Sequence, residues 1–401
     1  MRVLLLSDIP PCTNYTAGLL LEQLCSFLPA KSWACYSAVT RGVMPNASSS
    51  IAGVPMKTIV RPREHWHVLP GVLGDMVSAV MEPVTACTSV RRIAKDVVAF
   101  GREFGADRVW CVLEGQTLIR LALPVARALK VPLYTQVLDP PNWWLRDNRV
   151  DELTTRAVLR RFEKTLRESA CCATVSAPMA DEYSQHLGAR AVAVMPGLPS
   201  ALARPPMESP SHSEELTLGL AGQVYASREW DALMSALRSV EWRVCGRSVR
   251  IVALGRRVSL SAEAPARIEY LGWRPQSETI DILSRLDVLY CPYWFDPTFE
   301  TEARLSFPSK LASYLAAGRP VFFHGPEYAS PARFLKANEA AFFCHSLEPG
   351  EIVEQLANVI GDPAAYATVT RNGRRAFDRY LTTASMKTQF HEFLGLDRSE
   401  G

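Results

Sequence analysis

A lysine where a helix opens and carboxylates just past strand ends are the side chains of this sequence best placed to do chemistry. Between Leu305 and Val321, Pro308 and Ser309 can open a helix, Leu311, Tyr314 and Leu315 give it an apolar stripe, and Gly318 with Pro320 ends it. A helix start offers unpaired N–H groups and the positive end of the helix dipole. With Lys310 beside them, residues 308–311 could hold an anion; the alternative is that Ser309 is a cap and Lys310 a surface charge. Asp8 and Asp139 each follow an apolar run, and Asp139 could orient a hydroxyl. Trp143 and Trp144, four and five residues further on, could stack on a bound molecule or shield a core patch.

Strands and helices must hold these groups in place. Val3–Leu6, a Pro-rich polar turn from Ser7 to Thr13, and an amphipathic stretch through Gly18, Leu21, Leu24 and Leu28 read as strand, loop and helix. That order opens an α/β domain, with the loop and its Asp8, Asn14 and Tyr15 at the carboxyl end of the strand. Further strands are expected at Val109–Leu113, Leu133–Val137, Ala173–Ser176 and Val192–Met195, with helices over Thr117–Leu129 and Leu153–Arg167. The pattern restarts after the Pro- and Ser-rich residues 196–213. Strands follow at Leu216–Leu220, Val249–Leu254, Val288–Tyr290 and Ala341–Cys344, with helices at Arg228–Leu237, Glu278–Ser284 and Glu348–Ile360. Two Rossmann-like parallel-sheet domains facing across a cleft are therefore expected, residues 1–197 and 216–372, joined by a linker at 198–215. Residues 373–401 form a tail, and a long helix over Thr370–Phe393 could brace the first domain.

Composition narrows the function. With 401 residues, 48% hydrophobic and 21% charged, the chain is long enough for two cores and is neither disordered nor fibrous. A net charge of only +3 without a base-reading module argues against nucleic acid. The ten cysteines are irregularly spaced and read as reduced thiols, and His65, His67 and His186 do not make a metal-ligand set. P-loop and GxSxG patterns are absent. The apolar run before Asp8 is too short for a membrane span or signal peptide, so a cytoplasmic protein is expected. Residues 61–67, mixing Arg61 and Arg63 with Trp66, could rest peripherally on the inner face of a membrane or form a solvated loop.

The succession Ile268–Pro275, Ile280–Leu283 and Leu286–Pro292, followed by Ser309–Val321, resembles the nucleotide-sugar-dependent glycosyltransferases of GT-B fold. It is most similar to the retaining family 4, which includes sucrose synthase-like and bacterial polysaccharide enzymes. The resemblance implies that Gly222, Gln223 and Arg228 bracket a donor diphosphate, with Gln223 standing where the family has Arg and Lys310 compensating. It implies a base pocket near Trp273 and Arg274, and diphosphate contacts from Ser309, Lys310 and Leu311. The family's paired glutamates fall on Leu305 and Ser313; Ser313 could keep one ribose hydrogen bond, and Glu300 or Glu302 could reach the sugar or be solvated loop residues. Gly18 matches a small residue at which a helix approaches the sugar or diphosphate.

Together these readings imply transfer of a sugar from a nucleotide-diphosphate donor to a hydroxyl acceptor with retention. Arg228 and Lys310 would stabilise the leaving group; an inverting reaction would instead need a base near the acceptor, for which Asp139 or Asp8 is the candidate. No cofactor is implied beyond the nucleotide sugar as co-substrate, and the acceptor is a small-molecule, glycan or lipid-linked hydroxyl. A nucleotide-sugar-binding partner protein and a nucleotide-sugar epimerase are the two alternatives.

Overall fold

Short runs buried at every position, such as Val3–Ser7 and Trp33–Val39, are strands covered on both faces. The computed structural model, which describes residues 1–48, 51–64, 72–223, 225–255 and 267–396, places them at the centre of the first of two parallel sheets. The first compact unit comprises Met1–Val194 and the chain from Lys387 onward; the second comprises Met195–Met386.

In the first unit β1 (Val3–Ser7), β2 (Trp33–Val39), β3 (Met56–Val60), β4 (Arg108–Val112), β5 (Leu133–Val137), β6 (Cys171–Thr174) and β7 (Ala191–Ala193) lie in the order β3-β2-β1-β4-β5-β6-β7. All neighbours are parallel. The chain winds outward from β1 in one direction and from β4 in the other, so the order reverses between them. A crevice forms outside the carboxyl ends at such a reversal. β2 and β3 were not expected from the sequence. The run expected at Ala173–Ser176 ends earlier, because Ser176 instead caps the helix Ala177–Leu187, its Oγ accepting from Met179 N at 3.1 Å.

In the second unit β8 (Glu215–Ala221), β9 (Arg243–Val244), β10 (Arg247–Leu254), β11 (Ile268–Gly272), β12 (Val288–Pro292), β13 (Val321–His324) and β14 (Ala341–Cys344) form the second sheet. Its order is β11-β10-β8-β12-β13-β14, with β9 antiparallel on β10. The reversal here lies between β8 and β12. The stretch expected as a linker belongs to this unit, because its backbone is bonded into it: Arg204 N donates to Ala316 O at 2.7 Å and Met207 N to Gly318 O at 3.0 Å.

The single long helix expected over Thr370–Phe393 is two helices, Pro363–Tyr380 and Thr383–Leu394. Leu198 breaks it, donating to Leu381 O and accepting from Thr383 N at 2.9 and 2.8 Å. The last turns carry Phe390 and Phe393 into the first unit's core, where Phe390 meets Trp110 edge-on at 5.0 Å and Phe27 at 6.1 Å. Arg108 Nη1 donates to Leu394 O at 2.8 Å. The ten cysteines are free, and all but Cys87 and Cys245 are buried. Among the described residues no helix is long and apolar enough to cross a membrane.

Phe390 is wholly buried, so Phe390→Ala is expected to cost about 3–5 kcal/mol. Urea unfolding followed by far-UV circular dichroism checks this. A loss below about 1 kcal/mol, the scale of a surface substitution, would show that the C-terminal helix is not part of the core.

Candidate functional site

In the second unit β8 and β12 pair only through Val288–Leu218 and Leu289–Gly219 and then part. The Tyr314 hydroxyl bridges the gap, accepting from Ala221 N at 2.8 Å and donating to the Tyr290 carbonyl at 3.1 Å. Tyr314 is wholly buried on the helix Lys310–Ala316, with Leu311 and Leu315 on the same face. The Tyr290 hydroxyl meets His324 Nδ1 at 2.8 Å, and His324 Nε2 meets the Ser346 carbonyl at 2.7 Å. A carbonyl can only accept, so Nε2 carries the proton. Burial pulls the His324 pKa down to about 4 and keeps the ring neutral.

Glycines form the floor of the opening. Gly222 N donates to Leu254 O at 2.9 Å and Gly255 N to Gly272 O at 3.0 Å, joining the ends of β8, β10 and β11. At Gly255 φ is +139°, and a Cβ there would lie 2.9 Å from the Gly222 carbonyl. Above this floor Lys310 Nζ donates to Gln223 O at 2.9 Å and lies 5.5 Å from the centre of the Tyr225 ring. Burial lowers its pKa. Among the described residues no carboxylate pairs with it. Trp294 Nε1, reaching across from the end of β12, donates to Tyr225 O at 3.2 Å, and its ring lies 5.6 Å from that of Tyr225.

The expected donor-side residues divide between this opening and other places. Gly222, Gln223 and Lys310 meet in it, and Arg228 is exposed on the first turn of Ser227–Ser239, just past the Tyr225 loop; Val224 lies outside the described residues. Leu311 is core, and its N–H and that of Ala312 are taken by Pro308 O and Ser309 O. Ser309 makes no side-chain cap bond. Ser313 is buried with its Oγ accepting from Gln276 Nε2 at 2.8 Å, and Leu305 is core. Glu302 is buried, which excludes the solvated-loop reading for it, whereas Glu300 is exposed. Trp273 is 60% exposed, and Arg274 pairs with Glu278 at 3.1 Å.

Carboxylates dominate the reversal in the first unit. Asp8 directly follows β1, Glu114 lies two residues past β4 and Asp139 two residues past β5. Burial raises the Asp8 pKa to about 6, opposed chiefly by the charge of Arg61. Burial, with the charges of Asp8 and Asp139 added, pushes Glu114 well above the usual carboxyl range. The sequence reading does not single out Glu114, although Leu113-Glu114-Gly115 repeats the strand-then-turn punctuation that marks Asp8. Gly115, with φ +81°, opens the helix Gly115–Leu129, and a Cβ there would fall 2.6 Å from both Arg61 Nη1 and Glu64 Oε2. Among the described residues no three His, Cys, Asp or Glu converge closely enough to hold a metal ion.

The remaining acceptor-side residues take other roles. Gly18 admits the Cys12 thiol, since a Cβ would lie 2.1 Å from Cys12 Sγ; its close approach is to this side chain. Tyr15 is half-buried at the N-cap of Thr16–Cys25. Trp143 is exposed, whereas Trp144 is buried with its Nε1 unpartnered. Of the aromatic segment at 61–67, residues 65–67 lie outside the described residues. A separate cavity of about 440 Å³ lies beside β3, lined by Tyr36, Ile59, Arg92 and Asp96 among others, away from the three carboxylates.

No family model matches the chain, and no curated protein matches its sequence. Solved structures match it from end to end. Sucrose-phosphate synthase from Thermosynechococcus elongatus shares 10% identity over all of both chains with a TM-score of 0.64. Anabaena HepE, in complex with UDP and glucose, shares 14% over 98% of this chain and 99% of its own with a TM-score of 0.64. The α,α-trehalose 6-phosphate synthase from Burkholderia multivorans shares 12% over 98% of each chain with a TM-score of 0.65. The chain has the GT-B fold. At these identities the likeness is one of fold. Within the GT-B fold each sheet has its own reversal, cationic in the second unit and acidic in the first.

Two outcomes test these settings. Tyr314→Phe strands a buried N–H and leaves the Tyr290 carbonyl without this donor, and is expected to cost about 1–3 kcal/mol in urea unfolding; an unchanged midpoint would mean that water replaces the hydroxyl. Asp8 takes up a proton on folding between its ordinary pKa of 3.8 and its folded value of about 6, so stability falls as pH rises through that window. Asp8→Asn is therefore expected to be more stable than the native protein above pH 6, by roughly 1–2 kcal/mol, and no more stable below pH 4. Equal stabilities at both pH values would contradict the raised pKa.

Proposed function

We propose that this protein is a glycosyltransferase that moves a sugar from a nucleoside-diphosphate donor to a hydroxyl acceptor with retention of configuration. The observation that carries the reading is Lys310. A half-buried ammonium held by one carbonyl and one ring face, without a carboxylate partner among the described residues, is stable chiefly when an anion arrives. It stands where β8 and β12 part, the position at which parallel sheets hold nucleotides. Gly222 leaves room for phosphate oxygens, and Arg228 on the adjoining helix supplies a second charge. Tyr225 and Trp294 offer aromatic faces beside it. Anabaena HepE, with the same fold, is complexed with UDP and glucose, which supports a nucleotide-sugar donor.

In this reading the bond from the anomeric carbon to the diphosphate oxygen breaks while the acceptor oxygen bonds to the same face of that carbon, and the acceptor's proton passes to the departing diphosphate oxygen. Lys310 and Arg228 bind the departing diphosphate and stabilise its growing charge. Ser313 and Gln276, a neutral pair, take the place of a carboxylate toward the ribose. Asp8, Glu114 and Asp139 orient the acceptor hydroxyl on the first unit, where Glu114 in its protonated form can donate a hydrogen bond.

Calorimetric titration with UDP, GDP, ADP and TDP, and with their sugars, tests the donor site. One nucleotide series is expected to bind, and Lys310→Ala to weaken it about 10- to 100-fold, with Arg228→Ala weaker in effect because Arg228 is exposed. Affinities equal to those of the native protein in both variants would sink the proposed diphosphate site. Release of nucleoside diphosphate on adding acceptor separates transfer from mere binding, and a change of donor-sugar configuration without acceptor would mark an epimerase.

A further inference from the structure

A helix of fifteen residues that begins at a sheet reversal is ordinarily an anion site, because its first N–H groups lack partners. The helix Gly115–Leu129 begins there, yet its opening is already taken. Glu64 Oε1 accepts from Thr117 N at 2.7 Å, and Glu64 Oε2 lies 3.4 Å from Arg61 Nη1. Gln116 Nε2 donates to the Glu64 carbonyl, and Gln116 Oε1 accepts from Arg120 Nη2 at 3.0 Å. The glycine at 115 is what lets this ion pair lie on the helix start, since a Cβ would collide with both partners.

Glu64 thus occupies the place a phosphate would take: one carboxylate oxygen on a helix N–H, the other facing a guanidinium. Arg61 comes from the chain just after β3, its N–H bonded to Val39 O at 2.8 Å, so the pair is delivered by a strap anchored at the sheet edge. The carboxyls of Asp8 and Glu114 interact electrostatically with both Arg61 and Glu64; ionised they repel an added anion, and protonated they offer it no compensating charge.

We propose that Glu64 is a specificity-determining residue that fills the anion-binding helix start of the first unit, so that the acceptor is an unphosphorylated polyhydroxyl compound and not a sugar phosphate. The inference rests on the acceptor being bound at this reversal, as in the function proposed above. Exclusion works by occupancy and by charge: a phosphate ester would have to displace Glu64 from Thr117 N and Arg61 and then sit among carboxylates. A neutral hydroxyl compound meets no such cost and finds several acceptor oxygens.

Inorganic phosphate is the direct probe, titrated into the full chain carrying Lys310→Ala so that the second unit's cation does not contribute. With Glu64 present, phosphate is expected to bind negligibly at millimolar concentration. Glu64→Gln keeps the side chain's shape and one acceptor oxygen but removes the charge, and is expected to bind phosphate at least about tenfold more tightly. Adding Arg61→Ala should abolish the gain, and the thermal midpoint of each variant, read with and without phosphate, shows that it is folded. Arg61-dependent phosphate binding with Glu64 intact, or no gain on Glu64→Gln in a folded variant, would overturn the proposal. This titration needs no donor and no turnover, so it decides the role of Glu64 even if sugar transfer fails with every donor. Where transfer is seen, glucose outperforming glucose 6-phosphate agrees with the proposal, and the reverse order contradicts it.

Discussion

One hydroxyl holds open the place on which the second unit's chemistry depends. β8 and β12 share only two paired positions before they diverge, and a parting of this kind leaves backbone groups that must be satisfied or solvated. Tyr314 satisfies one on each strand, accepting from Ala221 N and donating to Tyr290 O. The same helix starts with Lys310, so the residue that props the strands apart and the cation that stands in the opening are set by one element. Tyr290 and His324 extend the arrangement to β13, and the neutral state of His324 keeps a second positive charge out of the core. Lys310 faces the loop that carries Gln223 and Tyr225.

Electrostatics divide the two units. In the second, a cation lacks a carboxylate partner among the described residues; in the first, three carboxyls gather and Arg61 is already paired with Glu64. A charged group kept half-buried without its counter-ion is costly unless a ligand supplies it, and crowded carboxyls relieve repulsion by keeping a proton. The first arrangement suits an anionic leaving group. The second suits hydroxyls, which accept and donate hydrogen bonds without adding charge. The carboxyls lie just past strand ends, whereas Lys310 opens the helix that carries Tyr314 to the parting of β8 and β12.

Much of this was legible in the sequence because burial on both faces leaves a plain mark. Val3–Leu6 is an unbroken apolar run, Leu133–Val137 and Leu216–Leu220 are apolar at both ends with one or two polar residues inside, and all three are strands. The stripe of Leu311, Tyr314 and Leu315 gave the buried face of its helix, but apolar spacing says nothing of where a tyrosine hydroxyl goes, and its bridge is a long-range contact. At the helix start expected at 308–311 the spacing does not reveal that the Leu311 and Ala312 amides turn back onto Pro308 and Ser309. Gly18 shows the reverse case: the small residue was recognised, but its neighbour is the Cys12 thiol. Glu64 bonds to Thr117 N across 53 residues of sequence, a contact made by the strap after β3 and not legible in local spacing.

The central claim is that the opening between β8 and β12 is a nucleoside-diphosphate site, and amide hydrogen exchange with and without nucleotide reads it most directly. Saturating UDP, or whichever nucleoside diphosphate binds, is predicted to slow exchange in peptides covering Ala221–Trp230 and Tyr290–Phe295, while peptides around Glu114 stay unchanged. Protection confined to the first unit, or none in the Gly222–Arg228 loop at saturation, would contradict it.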